Sequence, residues 1–252
     1  MDSFIAWVGG KKLLRGKIVE CFPEKIEKYV EVFGGAGWVL FHKEKHASKE
    51  VYNDINSELV NLFRCVKYHP EAIEKELSLS LNSREIFEDY KKQTIMDGLT
   101  EIQRAARYLY LIRVSYGAKI TSFGGKNRDI ADVKSLYLIR ERLAKVLIEN
   151  KSFADLIQLH DGEGTLFYCD PPYHKTEKYY DTGNFVFDDG QHRALKELLS
   201  NIKGRFILSY NDDEFIRELY KNFYIEEVQR SNNLSMRSGA NKVYKELIIK
   251  NY

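Results

Sequence analysis

The sequence predicts an α/β fold: a doubly wound, mostly parallel sheet interrupted by a mostly helical insertion. Three observations lead there. Short apolar strands alternate with helical periods in both the first and last parts of the chain. One strand, Lys28 to Phe33 (KYVEVF), runs directly into the glycine turn Gly34-Gly35-Ala36-Gly37. Another, TLFYC, ends in Asp170-Pro171-Pro172-Tyr173, more than 130 residues beyond that turn. One βαβ unit needs only roughly 30 residues, so the intervening chain must hold a large element of its own.

Taken in order, the glycine turn is followed by Trp38 to Lys43, whose apolar content predicts a helix, and then by a short strand, Val51 to Asp54. From Ser57 to about Asn150 the text changes to helical periods: Glu58 to Val66, Glu71 to Leu79, Arg84 to Ile95, Ile102 to Val114 and Val133 to Ile148. Only Ser115 to Asp129 (SYGAKITSFGGKNRD) breaks this pattern, with three glycines that mark a loop or small hairpin. After Gly164 come the TLFYC strand, a helix from Asp189 to Ile202, the strand Arg205 to Ser209 and a helix from Asp213 to Lys221. Strands at Tyr224 to Val228 and Tyr244 to Ile249 complete the sheet. The division is 1–56 and 151–252 for the sheet-forming domain and 57–150 for the insertion.

At 252 residues there is ample surface to bury without staples. The three cysteines, Cys21, Cys65 and Cys169, are odd in number and widely spaced, which argues against a disulfide framework or a CxxC metal site. A reducing cytoplasm fits them. No stretch approaches the roughly 18 apolar residues of a membrane span, and nothing calls for an obligate protein partner. His42 and His46 lie four apart, but Lys43 stands where a zinc-hydrolase motif needs glutamate, so a solvated helix face is expected and no metal.

Net charge is only +2, yet it is unevenly spread. Gln103 to Arg128 contains no acid and carries Arg104, Arg107, Arg113, Lys119, Lys126 and Arg128 among Tyr108, Tyr110, Tyr116 and Phe123. Cations for phosphates and rings for bases are what a nucleic-acid surface requires. A second acid-free window, Val228 to Lys245, holds Arg230, Arg237 and Lys242.

The strand ends carry the chemistry. A glycine turn lets a ligand approach the backbone, and an acid about 20 residues later commonly grips a ribose hydroxyl; Asp54 stands at that remove. Pro171 and Pro172 lack an N–H and stiffen the chain leaving the last apolar strand, so Asp170, the Pro171 carbonyl and the Tyr173 ring are held rather than mobile.

Four stretches, Trp7-Val8-Gly9-Gly10-Lys11, Phe33-x-Gly35-x-Gly37, Asn53-Asp54-x-Asn56 and Asp170-Pro171-Pro172-Tyr173, in this order and spanning nearly the whole chain, resemble the Dam-type DNA adenine N6-methyltransferases. The resemblance implies a Rossmann-like sheet that binds S-adenosylmethionine and releases S-adenosylhomocysteine, with the insertion recognising a target in double-stranded DNA. It implies cofactor contacts at Trp7, Lys11, Phe33, Gly35, Gly37, Asp54 and Asp170, and catalysis by Asp170, Pro171, Pro172 and Tyr173 on an adenine flipped from the duplex. DNA contacts are expected from Arg113, Lys119, Ser122, Lys126, Arg128, Arg237 and Lys242. Ala6 departs from the lysine that many relatives carry there. Arg113 to Lys119 departs from the arm that reads GATC in the enteric enzymes, which leaves the target sequence open. Rival readings are transfer to a protein glutamine or cytosine N4, against which Asp rather than Ser at 170 argues, and a DNA-binding module without turnover.

Overall fold

The computed structural model describes residues 1–94, 96–125, 130, 134–175, 187–231 and 243–252. A short helix α1 (Arg15–Glu20) precedes β1 (Lys28–Glu31), and a single 3-10 turn (Leu40–His42) leads to β2 (Lys49–Asn53). Five helices follow: α2 (Ser57–Tyr68), α3 (Pro70–Ser78), α4 (Arg84–Gln93), α5 (Glu101–Val114) and α6 (Lys134–Leu143). The chain then returns to the sheet as β3 (Val146–Glu149), α7 (Phe153–His160), β4 (Thr165–Cys169), α8 (Asp189–Ser200), β5 (Arg205–Asn211), α9 (Glu214–Leu219), β6 (Tyr224–Ser231) and β7 (Val243–Lys250).

The seven strands lie in the order β3-β2-β1-β4-β5-β7-β6, all parallel except β7, which runs antiparallel to both its neighbours. Side chains alternate between faces. Tyr29, Tyr168, Ile207 and Ile248 share one core with residues of α1, α2 and α5. Val30, Phe167, Leu208 and Leu247 share the other with Leu156 of α7, Leu195 of α8 and Ile216 of α9. Both faces are thus covered by helices, as a buried parallel sheet needs.

Local chemistry sets the helix starts. Thr100 and Gln103 form a reciprocal capping box on α5, while Asn56, Ser152, Asp188 and Asp213 cap α2, α7, α8 and α9 with side-chain oxygens.

Two expected elements are corrected. The helix at Trp38 to Lys43 is only the 3-10 turn: the backbone is already extended at Lys43, and Arg142 of α6 donates to the carbonyls of Leu40 and Lys43 that the turn leaves open. The long helix to Ile148 ends at Leu143, and Val146 to Glu149 pair in parallel with β2, with Glu50 opposite Val146. Their apolar residues extend the helical period without a break, so the period hid the strand. Neither α1 nor α7 was expected.

Among the described residues no helix is long and apolar enough to cross a membrane. All three cysteines are free thiols. His42 and His46 do not share a solvated helix face: the His46 ring packs on Phe22 and Tyr29, contacts the Val39 carbonyl through Nε2, and is pushed down to about 4 by burial.

Candidate active site

From β1 the chain crosses to β2 on one side of the sheet, and from β4 it crosses to β5 on the other. The carboxyl ends of β1 and β4 therefore border the topological switch point, where an open parallel sheet leaves a crevice. A cleft of about 900 Å³, counting its open mouth, lies there. The glycine turn after β1, the acid after β2 and the Asp-Pro-Pro exit from β4 all contribute to its wall.

The turn is built for close approach. Gly35 has φ +48°, and a Cβ there would lie 2.9 Å from Cδ1 of Trp7. Gly37 has φ +68°, donates its N–H to the Gly34 carbonyl at 2.8 Å, and a Cβ would meet Phe41 at 2.9 Å. Neither position accepts a larger residue without strain. Asp54 is tied across this turn: Oδ2 accepts the Gly35 N–H at 2.8 Å and Oδ1 accepts the Asn56 N–H at 2.9 Å. Phe33, Phe153 and Phe187 form an aromatic corner with centroids 5.7 to 5.9 Å apart.

Asp170 stands one residue beyond β4. Its Oδ2 accepts from the Lys11 ammonium at 2.7 Å, and its Oδ1 accepts from the Ser209 hydroxyl at 2.9 Å. Lys11 is only 3% exposed, also donates to the Gly9 carbonyl at 2.9 Å, and sits 4.7 Å from the centre of the Tyr173 ring. Burial pushes the Asp170 carboxyl above the ordinary carboxylate range, while the Lys11 charge and hydrogen bond and the Ser209 hydroxyl pull it back. Glu31, at the end of β1, also lines the cleft; burial raises it to about 8 against the hydrogen bonds from the Tyr29 hydroxyl and the Leu40 N–H. Tyr173 is 9% exposed and donates its hydroxyl to Glu246 of β7 at 2.8 Å.

Of the expected site residues, Trp7, Lys11, Phe33, Gly35, Asp54, Asp170 and Pro172 line one cleft, although their positions span most of the sequence. Gly37, Pro171 and Tyr173 do not line it; Gly37 supports the turn, and Tyr173 lies behind Lys11. Arg113, at the end of α5, donates to the Ile130 carbonyl at 2.6 Å. Lys119 and Ser122 are exposed on the loop that follows, where Ser115 and Phe123 form an antiparallel bridge. Lys126, Arg128, Arg237 and Lys242 lie outside the described residues, as do Tyr179, Tyr180 and Phe185 beyond the proline exit. Among the described residues no group of three or more His, Cys, Asp or Glu could hold a metal ion.

Sequence reasoning missed Glu31, Ser152, Phe153, Tyr168 and Phe187 as parts of the site or its wall, whereas Ser209-Tyr210-Asn211-Asp212 already resembles the strand end beside the target pocket, with a plain turn as the alternative. Glu31 left one signal, an acid inside the apolar run KYVEVF. A charge in a strand with both faces covered needs a reason.

The family model of the D12 class N6 adenine-specific DNA methyltransferases matches residues 7–234, which take in the glycine turn, Asp54 and the Asp170 exit. The chain belongs to this family. Curated relatives agree over their full length. The chain is 30% identical to the Type II methyltransferase M1.LlaDCHI of Lactococcus lactis subsp. cremoris, covering 100% of this chain and 96% of that one. It is 29% identical to the Type II methyltransferase M.MjaIII of Methanocaldococcus jannaschii, covering 100% and 99%. It is 27% identical to the DNA adenine methylase of Escherichia coli K12, covering 98% and 94%. This D12-class chain is thus an adenine-specific DNA methyltransferase, and DNA is its substrate.

Proposed function

We propose that the enzyme transfers a methyl group from S-adenosylmethionine to N6 of an adenine flipped out of double-stranded DNA. The observation that carries this reading is the meeting of Asp170, Lys11, Asp54 and the glycine turn in one cleft at the switch point. The donor set suits the cofactor: an aromatic corner for its adenine, Asp54 for its ribose, the buried Lys11 for its carboxylate, and Trp7 against the turn near its cation. Phe33, Gly35, Gly37 and Asp170 complete the residues that would hold it. Bound there, it supplies an electrophilic methyl group on a positively charged sulfur.

The chain's own residues prepare the acceptor. An adenine amino group is a weak nucleophile because its lone pair is delocalised into the ring. Asp170 and the Pro171 carbonyl, stiffened by Pro172, draw the two N–H groups toward fixed acceptors and localise that pair on nitrogen. Tyr173 stacks on the extruded base, which requires Lys11 to turn away from its ring as the base enters. Positioning and electrostatics then supply most of the acceleration.

The helical segment between β2 and β3 serves target recognition in this reading, and the second boundary of the division 1–56, 57–150 and 151–252 then moves ahead of β3, which pairs with β2 in the sheet. Arg113, Lys119, Ser122, Lys126 and Arg128 reach DNA from it, and Arg237 and Lys242 reach it from the window before β7. The enzyme then acts where the DNA is, in the cytoplasm of its host.

The test is to express wild type and Asp170→Ala in cells lacking adenine methylation and to read the recovered DNA by modification-sensitive single-molecule sequencing. N6-methyladenine in one short motif with wild type only is the expected result. Equal methylation by both overturns the role of Asp170; soluble wild-type protein that binds DNA but leaves it unmodified overturns turnover.

A further inference from the structure

Parallel pairing puts Tyr168 opposite Glu31 on one side and opposite Ile207 on the other, with Cys169 opposite Leu208. Continuing that register, Asp170 stands beside Ser209. Since side chains alternate along a strand, Tyr168, Asp170 and Ser209 emerge on the same face of the sheet.

Their hydroxyls are buried and close: the Tyr168 hydroxyl lies 3.0 Å from Ser209 Oγ, and Ser209 Oγ lies 2.9 Å from Asp170 Oδ1 and 3.5 Å from the Cys169 carbonyl. Ser209 is 1% exposed and Tyr168 is 1% exposed, so neither turns to solvent for a partner. A serine hydroxyl has one proton. The carboxylate is the nearer and stronger acceptor, so that proton goes to Asp170. With it committed, the Tyr168 hydroxyl must be the donor to Ser209. The direction of the whole chain is fixed, Tyr168 to Ser209 to Asp170.

We infer that Ser209 and, through it, Tyr168 are positioning residues that fix the rotation of the Asp170 carboxylate for the adenine amino group. This rests on the role proposed for Asp170. Lys11 holds Oδ2 by a flexible side chain that the incoming base displaces, whereas Ser209 holds Oδ1 from a central strand that does not move. The carboxylate therefore keeps its plane when its ion pair opens. The donor chain also keeps Asp170 ionised in a site where burial favours protonation.

The experiment measures single-turnover methylation of unmethylated genomic DNA with radiolabelled S-adenosylmethionine, from pH 5 to 9, in wild type, Ser209→Ala, Ser209→Thr, Tyr168→Phe and the Ser209→Ala/Tyr168→Phe double variant. Ser209→Ala is expected to lower the plateau rate about tenfold and to move the acid limb up by roughly one pH unit, because a hydrogen bond to the charged form has been lost. Ser209→Thr restores both. Tyr168→Phe moves the limb less in the same direction, and the double variant matches Ser209→Ala, because Tyr168 acts only through Ser209. The charged groups that face Asp170 from the other elements, Lys11, Glu31 and Glu246, are unchanged in every variant, so the comparison isolates the hydroxyl chain.

A Ser209→Ala variant with the wild-type acid limb overturns the inference, as does an additive double variant. If Ser209→Ala fails to fold, Tyr168→Phe decides alone: an unmoved limb in that variant overturns the donor chain. An active Asp170→Ala control instead overturns the proposed role of Asp170 itself.

Discussion

Two acids stand at the ends of the strands that flank β1, and they are held in opposite ways. Asp54, after β2, is anchored by two backbone N–H groups, those of Gly35 and Asn56, within its own stretch of fold. Asp170, after β4, is anchored by two side chains, Lys11 from 159 residues earlier and Ser209 from 39 residues later. Backbone donors cannot turn away, so Asp54 is part of the scaffold. A lysine can, so one side of Asp170 can open while the other stays closed. The fixed acid suits a ligand held the same way in every cycle, and the half-released acid suits one that arrives and is transformed.

This contrast can be broken at several points. The largest effect is expected from Asp170→Ala, a loss of methyl transfer on the order of a thousandfold with the thermal transition still cooperative, measured by label incorporation. Lys11→Met comes next, with a rate loss of roughly tenfold or more that deepens as the pH falls. Burial already raises the Asp170 carboxyl and Lys11 opposes that rise, so without the lysine the ionised form is lost at higher pH and the acid limb moves up. A pH profile that superposes on wild type would refute the ion pair's influence. At the scaffold acid the pattern should invert. Asp54→Asn removes one acceptor from the turn and the partner for a ribose hydroxyl, so KM for the methyl donor rises about tenfold while kcat changes little.

The smallest effect belongs to a third acid, Glu31, whose hydrogen-bond donors are a phenol and a backbone amide. Its carboxyl is raised to about 8, so its contribution to stability is fully present below its unfolded value and is lost as the pH rises toward 8. Glu31→Gln has no such slope. Its thermal midpoint should gain on wild type by roughly a few degrees between pH 5 and pH 8.5, read by calorimetry. An equal gap at both pH values would place the proton elsewhere.

Strands β1, β2, β4 and β5 were legible because each is a short apolar run closed by a turn signal, and α2 to α5 because their periods are clean. What escaped has a common cause. Val146 to Glu149 form a strand only because β2 offers them an edge, and the turn after Trp38 is closed by Arg142, which takes the carbonyls of Leu40 and Lys43. Both decisions are made by partners distant in sequence. The cleft followed the same rule: Trp7, Asp54 and Asp170 each sit in a recognisable local pattern, whereas Ser209 and Glu246 join the site only through pairing across the sheet.

The placement of β7 governs how the molecule comes into being. Among the described residues it is the last strand in sequence, yet it lies between β5 and β6, and there β6 joins the sheet only through it. During synthesis β6 therefore waits without a seat until β7 follows it, and the acid that secures Tyr173 emerges only with β7. Assembly must also await β4 before β1 has its second neighbour, so long-range pairings dominate and folding is slow for the chain's size. The bond that secures Tyr173 therefore closes only after β7 has paired, later than the segments from Trp7 to Phe187 that line the cleft have emerged.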